Sequence, residues 1–280
     1  RKVIIINNQG ELFLKVLGTV SPYPKDDKNC PGFLIKYNNY NILFDCGNGC
    51  KRLLNMKKDL NNLKIFISHL HPDHYGDLIS LLQAIYVYRK YGYINKNIEL
   101  FIPITRVMEN ENYTDSDGWG CSRIVSVDLI DLKHIKRYAE IADVELHEYD
   151  DCINIKYDNI KINNILVPHQ IKSYAFNLET SSGVVVYSGD TGSNNNLRKF
   201  AKGCNLFICG STFLRGQYTG EDYHLYAHEA ANIAKDANVE KLLLTHFWPE
   251  EDKSKYLEEA KDIFTNIEVA EEGKEIVLRR

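Results

Sequence analysis

The chain has 280 residues, of which 44% are hydrophobic, and its formal net charge at pH 7 is -4. This length and composition allow a large buried core in one α/β domain or in two small ones. The slightly acidic charge excludes a general electrostatic attraction to nucleic acid or to anionic membranes.

Short β-rich runs alternate with helical patterns along the chain. The first third predicts a strand over 11–20, a hairpin of strands over 32–37 and 40–45, and a leucine-rich helix over 76–91. Further strands are predicted over 98–102, 144–149, 153–157, 160–167, 173–179, 184–187, 205–209, 241–245 and 274–278, and further helices over 194–202, 225–237 and 253–264. Asn38-Asn39 and Asp158-Asn159 have the composition of hairpin turns.

Two apolar segments resemble each other and each ends in a histidine. They are Lys64-Ile-Phe-Ile-Ser-His69 and Lys241-Leu-Leu-Leu-Thr-His246. The similarity predicts two half-units, each with a ligand at the carboxyl end of a strand, where α/β sheets place their sites. Residues 104–140 have the weakest pattern, so we expect an insertion or lid there, within a single domain that spans residues 1–280.

Four metal-ligand side chains lie in the heptapeptide Ser68-His-Leu-His-Pro-Asp-His74. His69 and His71 are two residues apart in an extended segment, so both can face the same side. Pro72 then bends the chain, which returns Asp73 and His74 toward the same point. A cluster this dense predicts a metal site.

Three further candidates, His169, Asp190 and His246, each follow an apolar strand. Five imidazoles and two carboxylates are what two neighbouring divalent metals need, since imidazole suits zinc and carboxylates can bridge. We therefore expect two divalent metal ions, zinc with manganese as the alternative. The expected ligands are His69, His71, Asp73, His74, His169, Asp190 and His246.

These motifs resemble the metallo-β-lactamase superfamily over nearly the whole chain. His69-Leu-His-Pro-Asp-His74 matches its signature, Asp45-Cys-Gly-Asn-Gly49 its strand-end segment, and Gly189-Asp-Thr191 its bridging aspartate. The resemblance implies the αββα four-layer sandwich. It also implies that His69, His71 and His169 hold one metal, that Asp73, His74 and His246 hold the other, and that Asp190 bridges them.

Within that superfamily the chain is most similar to the ribonuclease Z-like phosphodiesterases, because His224 precedes the predicted helix that leads to Thr245-His-Phe247. The resemblance implies that Asp73 and His224 are catalytic, with His224 acting near the leaving group. We also expect Asp45 to orient a ligating histidine by a hydrogen bond, as carboxylates next to metal ligands do. The alternative for His224 is a polar residue that shares a helix face with His228.

The chain departs from that group in two places. Members that process transfer RNA carry a long arm between the residues matched here by His169 and Asp190, whereas segment 170–189 is only long enough for a tight β-hairpin. Many members also have acidic residues where Asn48 and Gly210 or Ser211 stand. We therefore expect no clamp for transfer RNA and different support for the ligands.

The expected activity is that of a dinuclear-metal phosphodiesterase on a small or cyclic phosphodiester, in which a hydroxide shared by the metals attacks phosphorus. The alternatives are hydrolysis of a carbonyl in a lactone, thioester or β-lactam, and a transfer-RNA 3′-end endonuclease that lacks the arm. Four aromatic residues near the motifs could stack on a base, with ordinary packing as the alternative: Tyr23, Tyr75, Tyr174 and Trp248.

Location and partners follow from composition and analogy. No apolar run approaches the roughly 20 residues that cross a bilayer. Seven irregularly spaced cysteines, with no signal peptide before them, indicate reduced thiols in a cytoplasmic protein. We expect a small phosphodiester substrate, no large structured RNA and no membrane, and a homodimer by analogy with ribonuclease Z-like proteins.

Overall fold

The structure is a computed structural model that describes residues 10–104, 122–150, 152–217 and 223–278. Its strands are Leu12–Gly18 (β1), Gly32–Tyr37 (β2), Tyr40–Phe44 (β3), Leu63–Phe66 (β4), Glu99–Pro103 (β5), Glu145–Tyr149 (β6), Asn154–Tyr157 (β7), Ile160–Val167 (β8), Ser173–Thr180 (β9), Gly183–Tyr187 (β10), Leu206–Gly210 (β11), Leu242–Thr245 (β12), Ile267–Val269 (β13) and Glu275–Leu278 (β14). Its helices are Met56–Asp59 (α1), Pro72–Tyr75 (α2), Leu78–Lys90 (α3), Ser122–Ile141 (α4), Asn195–Phe200 (α5), Ala227–Asp236 (α6) and Lys253–Ala260 (α7), with a 3-10 helix at Cys50–Leu53.

The strands form two mixed sheets. Among the described residues the first sheet has the order β14-β1-β2-β3-β4-β5-β6 and the second the order β13-β12-β11-β10-β9-β8-β7. In the first sheet β3 to β6 are parallel, and in the second β10 to β13 are parallel. Ligands of such sheets collect beyond the carboxyl ends of the parallel strands, so each sheet has one edge suited to a site.

The two sheets pack face to face through apolar side chains, and helices pack on the outer face of each sheet. Between the sheets, the rings of Phe44 and Phe176 stack with centroids 5.1 Å apart. Helix α3 buries Leu82 and Ile85 against the first sheet, and α6 buries Ile233 against the second. The αββα four-layer sandwich implied by the sequence is therefore confirmed.

The predicted elements differ from the structure where segments are short and at α4, a 20-residue helix that the sequence analysis did not predict. The turns at Asn38-Asn39 and Asp158-Asn159 are confirmed, and Asn38 and Asp158 adopt the left-handed backbone that asparagine and aspartate tolerate. Strand β13 and helices α1 and α2 were not predicted, because three or four residues are too few to establish a hydrophobic period.

The segment 104–140, expected to be an insertion or lid, is described only in part. Residues 122–141 form α4, whereas residues 105–121 lie outside the described residues. The lid therefore stays a prediction. In the described part of the chain, no helix is both long and apolar enough to cross a membrane.

Candidate metal centre

The heptapeptide Ser68–His74 begins two residues beyond β4 and turns immediately into α2. His71 is extended, with φ -80° and ψ 141°, and Pro72 begins the helix at a position where no backbone N–H is required. The His74 backbone N–H donates to the carbonyl of His71, 2.9 Å away, which closes the turn. This short helix returns Asp73 and His74 to the side on which His69 and His71 lie.

The second sheet delivers the other three candidates from strand ends. His169 follows β8, Asp190 follows β10, and His246 follows β12 directly. Gly189 precedes Asp190 with φ +58°, and a Cβ there would lie 2.7 Å from the Tyr174 carbonyl oxygen, so only glycine fits. His246 itself is left-handed, with φ 61°. The predicted arrangement, with ligands from strand ends of two similar units, is thus present in both sheets.

Three imidazoles, His69, His71 and His169, form what we call the imidazole half. Nδ1 of His71 lies 3.1 Å from Nε2 of His69 and 3.0 Å from Nε2 of His169. Histidine nitrogens at 2.0–2.1 Å from a tetrahedral zinc ion would be roughly 3.3 Å apart. The spacing of these three nitrogens is therefore close to that of a metal-ligand set.

The hydrogen bonds behind these rings fix which nitrogens carry lone pairs. The Ser68 hydroxyl donates its hydrogen bond to Asp45, so its oxygen accepts a hydrogen bond from His69 Nδ1, 3.0 Å away. His169 Nδ1 donates to the Tyr223 carbonyl at 3.2 Å. Both Nε2 atoms then present lone pairs to His71 Nδ1, which has at most one proton to give. A metal ion satisfies all three nitrogens at once, so the donor set fits a divalent cation.

Asp73, His74 and His246 form what we call the mixed half. Nε2 of His74 and Nε2 of His246 are 3.2 Å apart, and each lies 3.5 Å from Oδ2 of Asp73. Ser21 Oγ donates to the same Oδ2 at 2.9 Å. The three side chains are buried and their donor atoms converge, so this half offers a second place for a cation.

Asp190 lies between the two halves. Its Oδ2 is 3.0 Å from His246 Nε2 and 3.3 Å from His74 Nε2. The same oxygen is 3.6 Å from His69 Nε2 and 4.0 Å from His169 Nε2. One carboxylate oxygen thus reaches both halves, which is the geometry that a bridging ligand needs.

Burial dominates the protonation of the imidazole half. It lowers the pKa of all three rings, that of His71 to about 4, and neighbouring imidazoles lower them further. These rings are neutral at pH 7 in the metal-free protein. They can therefore bind a cation without first losing a proton.

In the mixed half, carboxylates outweigh burial. Burial alone would lower the pKa of His74 and His246, but Asp190 and Asp73 raise it, well above the usual value for His74 and to about 9 for His246. Burial would likewise raise the pKa of Asp73, but the charged rings lower it to about 2. In the metal-free protein, the protonated rings of His74 and His246 therefore occupy the place where a cation would bind.

The structure shows which groups orient the candidate ligand rings. Asp45 is fully buried and accepts hydrogen bonds from His74 Nδ1 at 2.7 Å, from Tyr187 at 2.7 Å, and from the backbone N–H and hydroxyl of Ser68 at 2.6 and 2.8 Å. The expected role of Asp45 is thus consistent with its contacts. It is left-handed, with φ 57°, which turns its carboxylate under the heptapeptide.

The partner of His246 is a residue that the sequence analysis missed. Thr212 Oγ1 lies 2.8 Å from His246 Nδ1, whereas the sequence directed attention to Gly210 and Ser211. Ser211 instead donates its hydroxyl to the Thr245 carbonyl. Only the direct alignment of β11 with β12 brings Thr212 under His246, so no local pattern could have identified it.

His224 is placed at the metal-ligand cluster, and His228 is not. The ring of His224 lies between those of His169 and His246, at centroid distances of 5.0 and 5.4 Å, and its Nδ1 is 3.8 Å from Asp190 Oδ2. His228 pairs with Glu259 at 2.8 Å instead. Burial lowers the pKa of His224 to about 3, so its imidazole is neutral at pH 7.

Comparison with known proteins agrees with this geometry. The family model described as "Beta-lactamase superfamily domain" matches residues 40–247. The chain is 25% identical to a ribonuclease Z of Archaeoglobus fulgidus, over 91% of this chain and 94% of that protein.

Two solved structures share the fold. One is the metallo-β-lactamase fold protein YhfI from Bacillus subtilis, with a TM-score of 0.75 and 20% identity over 95% of this chain and 99% of that chain. The other is the short form of human tRNase Z, with a TM-score of 0.69 and 20% identity over 96% of this chain and 100% of that chain.

Proposed function

The chain belongs to the metallo-β-lactamase superfamily and is a metal-dependent hydrolase, and we propose that its substrate is a small phosphodiester. The observation that carries this proposal is the position of His224. Its ring lies between those of His169 and His246 and so faces both halves of the cluster, although it belongs to neither half. It is thus available to act on a leaving group.

We propose that the imidazole half and the mixed half each hold one divalent cation, zinc with manganese as the alternative, and that Asp190 contacts both. The donor set of nitrogen and carboxylate atoms suits either ion. When bound, the cations would supply Lewis acidity, which activates water and neutralises phosphoryl charge. Asp45 and Thr212 hold the rings of His74 and His246 in the orientation that ligation requires.

The chemistry available to His224 follows from its protonation state. A neutral imidazole offers one N–H, which can donate a hydrogen bond to the oxygen that leaves phosphorus. Negative charge on an approaching phosphodiester would raise the pKa of His224 and favour a full proton transfer. Both actions help most when the leaving oxygen carries a concentrated charge, as an alkoxide does.

A short hairpin favours a small substrate over transfer RNA. Strands β9 and β10 pair antiparallel, with Thr180 opposite Gly183 and only Ser181-Ser182 between them. The tight hairpin predicted for residues 170–189 is therefore confirmed, and a long arm cannot extend from it. The name of the archaeal relative, a ribonuclease, favours phosphodiester over carbonyl chemistry.

A substrate panel on the metal-loaded protein tests this proposal. It contains bis-p-nitrophenyl phosphate, nitrocefin, a homoserine lactone and a transfer-RNA precursor, and each is also given to Asp190→Asn as a matched control. We expect hydrolysis of the phosphodiester alone, lost in the variant. Turnover confined to nitrocefin or the lactone would replace the proposal with carbonyl hydrolysis, and efficient cleavage of the precursor would replace it with RNA processing.

A further inference from the structure

Two aromatic residues on the chain segments that adjoin the mixed half keep exposed side chains. Of the four aromatic residues near the motifs, Tyr75 and Tyr174 are buried, with exposed fractions of 5% and 1%. Tyr23 and Trp248 keep 41% and 38% of their surface exposed. Burial explains the first two as packing, but it leaves the second pair without a structural role.

The backbone that carries this pair is tied to the metal-ligand residues. Trp248 is two residues beyond His246, so their Cα atoms are at most about 7 Å apart. The Ser21 backbone N–H donates to the Phe247 carbonyl at 3.0 Å, and the Ser21 hydroxyl donates to Asp73 at 2.9 Å. Tyr23 is two residues further along. Both aromatic residues therefore lie on chain segments that are tied directly to the mixed half.

The two rings also support each other. Their centroids are 6.1 Å apart and their planes meet at 73°, an edge-to-face contact. Tyr23 donates its hydroxyl to Glu250 at 3.1 Å, and Glu250 pairs with Lys25. An edge-to-face pair with this exposure offers a stationary aromatic surface on which a planar ring can stack.

Resting on the phosphodiesterase proposed above, we infer that Tyr23 and Trp248 form a stacking subsite for a nucleobase of the substrate. His224 is assigned to the leaving group, so the pair receives the nucleoside that remains on phosphorus. Two other exposed aromatic residues, Tyr91 and Tyr93, lie just beyond the carboxyl end of α3, away from the strand ends that carry the metal-ligand residues. Tyr223, which is 40% exposed, instead contacts the ring of His169 in the imidazole half, on the side of His224 and the leaving group. The substrate class is therefore a nucleotide phosphodiester.

Two substrates with the same leaving group isolate this subsite. Thymidine 5′-(p-nitrophenyl phosphate) carries a base on the group that stays, and methyl p-nitrophenyl phosphate does not. Stacking on an aromatic side chain contributes about 1–3 kcal/mol per base. Trp248→Ala should therefore lower kcat/KM for the thymidine substrate by about 5- to 150-fold, mainly through KM. We expect the methyl substrate to change less than about two-fold, and Trp248→Phe to retain most of the thymidine activity.

Tyr91→Ala is the matched control, because Tyr91 directly follows α3, is 68% exposed and should affect neither substrate. Equal losses on both substrates in Trp248→Ala would overturn the subsite, since they would mean that the ring supports the metal centre. The subsite would also be overturned if the wild-type protein showed no preference for the thymidine substrate over the methyl substrate.

A binding measurement separates this inference from the proposed activity. The chain has two tryptophans, Trp119 and Trp248. Adenosine monophosphate should quench the fluorescence of wild type and of Trp119→Phe, but not of Trp248→Phe, and ribose 5-phosphate should quench none of them. Quenching without turnover of any phosphodiester would overturn the activity and leave the subsite standing. Turnover of a phosphodiester without base-dependent quenching would overturn the subsite and leave the proposed activity standing.

Discussion

The two halves of the metal centre contain the same residue type in opposite protonation states. The imidazole half has rings whose pKa is lowered, to about 4 for His71, whereas the mixed half has rings whose pKa is raised, to about 9 for His246. Burial does not explain the difference, because His69 and His74 are both completely buried. The difference comes from the carboxylates, since Asp73 and Asp190 both lie within 3.5 Å of His74 and His246.

This comparison shows that position relative to a carboxylate decides what a buried histidine does. In the imidazole half the rings are neutral in the metal-free protein, so their nitrogens can bind a cation without first losing a proton. In the mixed half the rings hold protons, and these protons neutralise the buried carboxylates in the metal-free protein. A cation that enters the mixed half must displace them, so the two halves should respond differently to pH.

The largest expected effect is therefore on metal affinity as a function of pH. Groups with a raised pKa are protonated below that pKa, so zinc binding to the mixed half should release one to two protons at pH 7. Its affinity should then rise about 10- to 100-fold per pH unit between pH 6 and 8. The pKa values of the imidazole half lie below 6.5, so its affinity should be nearly constant over this range.

Calorimetric titration with zinc in two buffers of different ionisation enthalpy counts the released protons. His246→Ala isolates the imidazole half, and His169→Ala isolates the mixed half, so each variant is the control for the other. Equal proton release from both variants would contradict the assignment of opposite protonation states.

The next effect in size concerns the carboxylate that the halves share. Asp190→Asn keeps the shape of the side chain but removes its charge. Loss of one partner from a buried charged pair costs about 3–5 kcal/mol of stability, and turnover should fall steeply because neither half then keeps the carboxylate that the two halves share. Elemental analysis should show metal lost from both halves, and nuclear magnetic resonance should show the His246 pKa falling in the metal-free variant. A variant that loses metal from only one half would show that Asp190 does not bridge.

His224→Ala should cost about 10²-fold in turnover, the lower end for loss of an acid–base group or a charge-stabilising donor. Because His224 is outside the two halves, metal content should stay at the wild-type level. The loss should be larger for an alkyl leaving group than for p-nitrophenolate, whose charge is delocalised. If metal is lost instead, His224 is a ligand beside Asp190 and His246, a grouping that the geometry also permits.

The smallest effects separate the two orienting groups. Asp45→Asn should weaken metal binding by the mixed half about 10- to 100-fold, because Asp45 orients His74 with a charged hydrogen bond. Asparagine is the suitable replacement, since it tolerates the left-handed backbone at this position. Thr212→Val removes a neutral hydrogen bond from His246 and should cost less than about 10-fold. Zinc competition with a chromophoric chelator measures both, and a larger loss in Thr212→Val would reverse this ranking.

The candidate site was predictable from sequence because its members are marked by local context. Asp73 and His74 belong to one dense heptapeptide, and His246 directly follows an apolar strand. Strand ends are where α/β sheets collect ligands, so the pattern alone placed these residues at one edge. The short elements β13, α1 and α2 escaped prediction because hydrophobic periodicity needs more residues than they have.

The amino-acid sequence by itself determined the fold class and which side chains could form one site. Strand patterns and ligand spacing depend on residues that are close together in the chain, so they can be recognised without the tertiary structure. Only the tertiary structure decided how those side chains are supported and charged. Tyr187 reaches Asp45 across 142 residues, and Ser21 reaches Asp73 across 52. The protonation of each histidine likewise depends on carboxylates that arrive from other strands. Electrostatic interactions act through space rather than along the chain, so the opposite character of the two halves exists only once both sheets are packed.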